Sequence, residues 1–70
     1  PKLLQAPPHL SSRELQILQL ICQGYSTKQI ADHVQLKEMT VDDYRKKMLS
    51  KTHTKNAAEL VDFAHRNGLV

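Results

Sequence analysis

The stretch Glu38–Lys51 (EMTVDDYRKKMLSK) holds the side chains with the most chemistry to offer. Wound as a helix at about 100° per residue, it sets Val41, Tyr44 and Met48 on one arc, with Thr52 just beyond. Met39, Asp42, Asp43, Lys46, Lys47 and Ser50 fall on the opposite arc. One face can therefore bury, while the other presents ammonium donors beside carboxylate acceptors. Such groups make hydrogen bonds and ion pairs; they do not assemble a nucleophile with its base. The remaining reactive side chains are four histidines (His9, His33, His53, His65) and one cysteine, Cys22. No two of them share zinc-ligand spacing, and no carboxylate pair or glycine-rich phosphate loop frames them. The pattern is that of a non-enzymatic binding domain, with no metal and no cofactor implied.

Four helical segments are expected to position that arc. Pro1–His9 (PKLLQAPPH) carries all three prolines and little periodicity, and reads as a linker remnant, 1–9, ahead of a domain spanning 10–70. The chain opens on proline rather than methionine, so a fragment with a partner domain on its N-terminal side is expected. Ser11 with Glu14 forms a capping box, and Leu10 is placed as a staple against Leu15. The first helix is expected over 12–23, with Leu15, Ile17, Leu18, Ile21 and Cys22 on a wide apolar face. Cys22 on that face reads as a core thiol. Gly24 stops this helix. Ser26 with Gln29 caps a second helix over 27–34, which buries Ile30, Ala31 and Val34. Only Gln35–Leu36–Lys37 separates it from the helix over 38–51, with Leu36 plugging the corner. Two helices joined by so tight a turn make a helix-turn-helix, whose second helix is the usual major-groove reader.

Asn56 with Glu59 suggests a third capping box, opening a last helix over 57–67. Ala57, Leu60 and Ala64 form its inner face, Phe63 and Val61 flank it, and Gly68 stops it. Leu69 beyond the glycine is expected to fold back on the core, whose centre is Leu18, Ile21, Ile30, Val41, Met48 and Leu60. The fold class is all-α, a compact four-helix domain containing a helix-turn-helix. Arg45 lies inside the buried arc, where it either snorkels to the edge or pairs with Glu14. The sequence alone does not choose.

At 70 residues the chain is one small domain at most. A single cysteine rules out an intrachain disulfide, and a reducing, cytoplasmic setting fits. No apolar run approaches the roughly 18 residues of a membrane span, so no membrane partner is expected. A net charge of +3 permits an anionic partner without demanding one.

The order of these signals resembles the C-terminal DNA-binding domain of LuxR/NarL-type (GerE-like) bacterial transcription regulators. The matching residues are Leu10-Ser11-x-Arg13-Glu14, Ile17-Leu18-x-Leu20-Ile21 and Gly24-Tyr25-Ser26-x-Lys28-x-Ile30-Ala31. Thr40-Val41, Lys51, Ala58-Glu59-Leu60-Val61 and the closing run from Ala64 to Val70 continue the match. Four places depart from the family pattern. Lys37 stands where serine or threonine usually caps the reading helix. Thr52 replaces a leucine, and His53 a glycine. The two positions after Thr40-Val41, usually basic, neutral or singly acidic, are both aspartate.

The resemblance implies a sequence-specific DNA-binding domain, as the effector domain of a bacterial response regulator in a two-component system. Double-stranded DNA would be the partner and a regulatory domain would precede the chain. Base-reading positions map onto Asp42, Asp43 and Lys46, a lysine donating to guanine and an aspartate accepting from cytosine or, less often, adenine. Backbone contacts map onto Thr27 and Lys28 at the start of the second helix, and onto Lys37, Thr40 and Lys47. The family commonly pairs through its final helix, where Ala58, Val61, Asp62 and His65 form a strip suited to a weak homodimer. Two other classes compete. Acid at the reading face repels phosphate and keeps a helix-turn-helix protein-interaction module open. A sigma-factor-like promoter-recognition domain shares the Leu10–Glu14 opening, although the Ala64–Val70 ending argues against it.

Overall fold

The computed structural model describes residues 10–70, so the linker expected at 1–9 lies outside the described residues. Four helices follow in order: α1 (Ser12–Cys22), α2 (Thr27–Val34), α3 (Glu38–Thr52) and α4 (Ala57–Arg66). No strand occurs among the described residues. Each helix matches the sequence expectation to within one residue at either end.

The starts are set by side chains that satisfy orphan backbone donors. Ser11 Oγ accepts from the Glu14 N–H (3.1 Å) while the Glu14 carboxylate accepts from the Ser11 N–H (2.8 Å). Ser26 and Gln29 repeat the arrangement at α2, at 3.2 and 2.9 Å. The third box is only half made. Asn56 Oδ1 accepts from the Glu59 N–H (2.9 Å), but Glu59 Oε1 reaches past Asn56 to the Lys55 N–H (2.8 Å). Lys37 makes no side-chain cap, as its chemistry dictates.

At the ends, Gly24 (φ +91°) and Gly68 (φ +67°) take the left-handed turn. The next N–H then closes the helix, Tyr25 onto the Leu20 carbonyl (3.1 Å) and Leu69 onto Ala64 (2.9 Å). Leu69 packs against the core. The ends of α2 and α3 make the same excursion without glycine, at Gln35 (φ +58°) and His53 (φ +56°).

α3 and α1 each pack against all three other helices, and together they form the centre of the fold. Val41 and Met48 of α3 are fully buried, against Ile17 and Leu18 of α1, Ile30 of α2 and Leu60 of α4 in one cluster. Of the expected core centre, Ile21 is only half-buried. It lines an open hollow of about 260 Å³ between the α1–α2 turn and the start of α4, and Leu20 is buried instead. Cys22 also sits at the edge, half-buried, rather than inside. Burial still pushes its thiol pKa up, which keeps it protonated and unreactive at neutral pH. Leu36 packs at the corner as expected. Thr52 is buried with its hydroxyl satisfied: Oγ1 donates to the Met48 carbonyl (2.8 Å) and meets Thr54 Oγ1 at 2.8 Å.

Candidate nucleic-acid interface

The two helices of the motif are fastened by a contact between distant residues. Arg45, on the α3 arc turned toward the protein, neither pairs with Glu14 nor ends in open water. Its Nη1 donates to Thr27 Oγ1 at 2.6 Å, across to the first turn of α2. A hydroxyl that accepts from a guanidinium keeps its own proton free to donate elsewhere. Arg13 ties α1 to the end of α2, its Nη1 donating to the Val34 carbonyl at 3.2 Å, where the last carbonyls of α2 need partners.

Glu14 is taken by Lys51, at the far end of α3. Lys51 Nζ lies 2.9 and 3.1 Å from its two carboxylate oxygens. Desolvation pushes the Glu14 pKa up, but the Lys51 and Ser11 donors outweigh it and hold the carboxyl below its usual value. A buried carboxylate so satisfied fixes the end of α3 against the start of α1.

Thus fastened, α3 turns its polar arc away from the core. Asp43, Lys46 and Lys47 are exposed; Asp42 is partly so. Asp42 and Lys46, one turn apart, pair at 3.3 Å with their side chains 48% and 72% exposed, so this is a soft, solvent-screened contact. Lys47 Nζ sits 5.8 Å from the centroid of the Tyr44 ring, within cation–π range. Asp43 has no ion-pair or hydrogen-bond partner among the described residues. Lys28 and Lys37 are exposed, and Thr27 and Thr40 half-buried. With Lys37 making no cap, the first amides of α3, at Glu38, Met39 and Thr40, find no acceptor among the described residues. They leave the positive end of the helix dipole open to an anion.

On α4, Ala58, Asp62 and His65 are exposed and Val61 half-buried, so the strip is present as a surface. Asp62 there is paired along the helix to Arg66 Nε at 2.9 Å. Sequence reasoning missed two features of the site. The Arg45–Thr27 link has no local signal, because the residues are 18 apart. Met39 lies on the outward arc with no role that its periodicity assigns, and it is the most exposed large apolar side chain described.

Residues 8–64 match the family described as GerE, bacterial regulatory proteins, luxR family. The virulence-factor transcription regulator BvgA of Bordetella pertussis is 47% identical over 60 residues, covering 86% of this chain and 29% of that protein. The response regulator UvrY of Escherichia coli is 40% identical over 60 residues, covering 86% of this chain and 28% of that protein. The chain thus spans under a third of the length of these curated relatives. The crystal structure of the response regulator ChrA, from a heme-sensing two-component system, superposes with a TM-score of 0.84 at 28% identity. The match covers 99% of this chain and 35% of that one. With the family match over residues 8–64 and a relative 47% identical over 86% of its length, the chain belongs to the luxR family of bacterial regulatory proteins, as its helix-turn-helix DNA-binding domain.

Proposed function

We propose that α3 is the major-groove reader of a bacterial response regulator, with Asp42, Asp43 and Lys46 directed at base edges. Thr27, Lys28, Lys37, Thr40 and Lys47 hold the phosphate backbone on either side. The observation that carries this is the exposed polar arc of α3 lying beside the uncapped amides at the helix's own N-terminus. Cations and free N–H groups on the same helix suit a polyanion. The Asp42–Lys46 pair opens at little cost, because both groups are well solvated. The domain performs no chemistry and works in the cytoplasm; no helix among the described residues is long and apolar enough to cross a membrane. A regulatory domain on the N-terminal side controls it, in keeping with the greater length of the relatives. Two copies pair weakly through Ala58, Val61, Asp62 and His65 of α4, so that two half-sites about one helical turn apart are read together.

Duplex binding measured by fluorescence anisotropy across a salt series tests the proposal. Three lysines on phosphate (Lys28, Lys37, Lys47) give a log–log salt slope of about −3. Lys47→Ala lowers affinity for every sequence and reduces the slope by about one, while Lys46→Ala relaxes preference at one or two base pairs. Unchanged binding in both variants removes α3 as the reader. Affinity without salt dependence turns the motif into a protein-interaction module instead.

A further inference from the structure

Met39 is 76% exposed and belongs to neither the core cluster nor the partly buried residues packed on it. It is the second residue of α3, and the residues three, four and seven positions on are Asp42, Asp43 and Lys46. At helical spacing these four form one continuous row, with Met39 at its N-terminal end. In helix-turn-helix complexes the N-terminal residues of the second helix come closest to the base edges. The row therefore leads with an unbranched, polarisable apolar side chain rather than a hydrogen-bonding one. In the major groove the C5-methyl of thymine is the apolar group that marks one base pair from another.

We propose that Met39 is a specificity-determining residue that recognises a thymine methyl group in the target site. This rests on α3 being the major-groove reader. Among the described residues the side chain stands outside the core and the layer packed on it, and its free rotamers let the thioether slide over the methyl. Asp43, one turn further along the row and unpaired among the described residues, then faces a neighbouring base pair as a hydrogen-bond acceptor. An apolar contact and an acceptor on adjacent pairs add to the discrimination that Asp42 and Lys46 supply once their solvated pair opens.

The probe is a duplex selected by this domain from a randomised pool, then resynthesised with each thymine replaced in turn by deoxyuridine. That replacement deletes the methyl and keeps every hydrogen bond. The parent domain is expected to lose about fourfold in affinity at one thymine per half-site, the worth of one buried methyl. Met39→Ala binds thymine and deoxyuridine duplexes alike, and Met39→Leu restores the difference. A scan flat at every position for the parent, or a Met39→Ala variant as sensitive as the parent, overturns the assignment while leaving DNA reading by α3 intact. If no duplex is enriched at all, the reader function of α3 falls and the Met39 assignment with it.

Discussion

Cutting the Glu14–Lys51 pair from its two sides should cost very different amounts. Glu14 is 3% exposed and accepts from Lys51 at 2.9 and 3.1 Å and from the Ser11 N–H at 2.8 Å; the Lys51 side chain is 43% exposed. Lys51→Ala leaves a buried carboxylate with one donor, and an unpaired buried charge costs about 3 kcal/mol or more. Glu14→Gln keeps an oxygen on the Ser11 N–H and leaves an ammonium that water already reaches, a loss of about 1 kcal/mol. Total stability for a domain of this length is about 4–10 kcal/mol, so the first variant is near the edge of folding.

The pH dependence separates the two variants further. In the parent, Glu14 has its folded pKa lowered. Its contribution is therefore complete above the unfolded carboxyl value of about 4.3 and is lost as pH falls through the folded one. Without Lys51, only the Ser11 donors oppose burial, the largest single influence, so the folded pKa of Glu14 moves up from its place in the parent. Glu14 then contributes less at neutral pH and has less to lose as it is protonated. Urea unfolding followed by far-UV circular dichroism at pH 7 and about pH 3 should show Lys51→Ala losing several-fold more than Glu14→Gln at pH 7, with its gap from the parent narrowing in acid. Equal losses, or a gap that does not move with pH, would mean that the pair contributes no more than a solvated surface contact.

His53→Gly should stabilise the fold by about 1 kcal/mol, because a non-glycine residue at φ +56° is strained, and thermal melts should rise by about 4–8 °C. If the midpoint falls instead, the His53 side chain supplies a contact that outweighs the strain. Asp43→Asn should change which sequence is enriched from randomised duplexes; an unchanged motif with uniformly tighter binding would show that the aspartate only repels phosphate. Val61→Glu should abolish cooperative occupancy of a two-half-site duplex while single-half-site binding and the circular dichroism spectrum stay as in the parent. Cooperativity surviving that charge in gel-shift and sedimentation measurements removes α4 as the interface.

By itself the sequence determined what depends on near neighbours. Ser11 with Glu14 and Ser26 with Gln29 announce helix starts because a cap and its donor are three residues apart. The alternation of Val41 and Met48 with Asp43 and Lys46 fixes which side of α3 is buried, since helical geometry repeats every few residues. Those signals also carry the family likeness. The polar groups of the reading arc could be named in advance, because exposure on an amphipathic helix follows from periodicity.

The tertiary structure decided everything that rests on which element faces which. Glu14 reads as a cap or as a partner for Arg45, yet it meets Lys51 37 residues away. Arg45 had two plausible fates and took a third, because the crossing of α2 over α3 brings Thr27 within 2.6 Å. Ile21 yields its place in the core to Leu20, because the α1–α2 turn and the start of α4 leave a hollow over it. Even the half-made box at Asn56 turns on backbone direction: with φ at −155°, its N–H does not meet the Glu59 carboxylate that the neighbouring Lys55 N–H engages. Local spacing specifies a helix and its faces; the partner of a long side chain is set only when separate helices are packed at a particular angle, and no run of neighbouring residues encodes that angle.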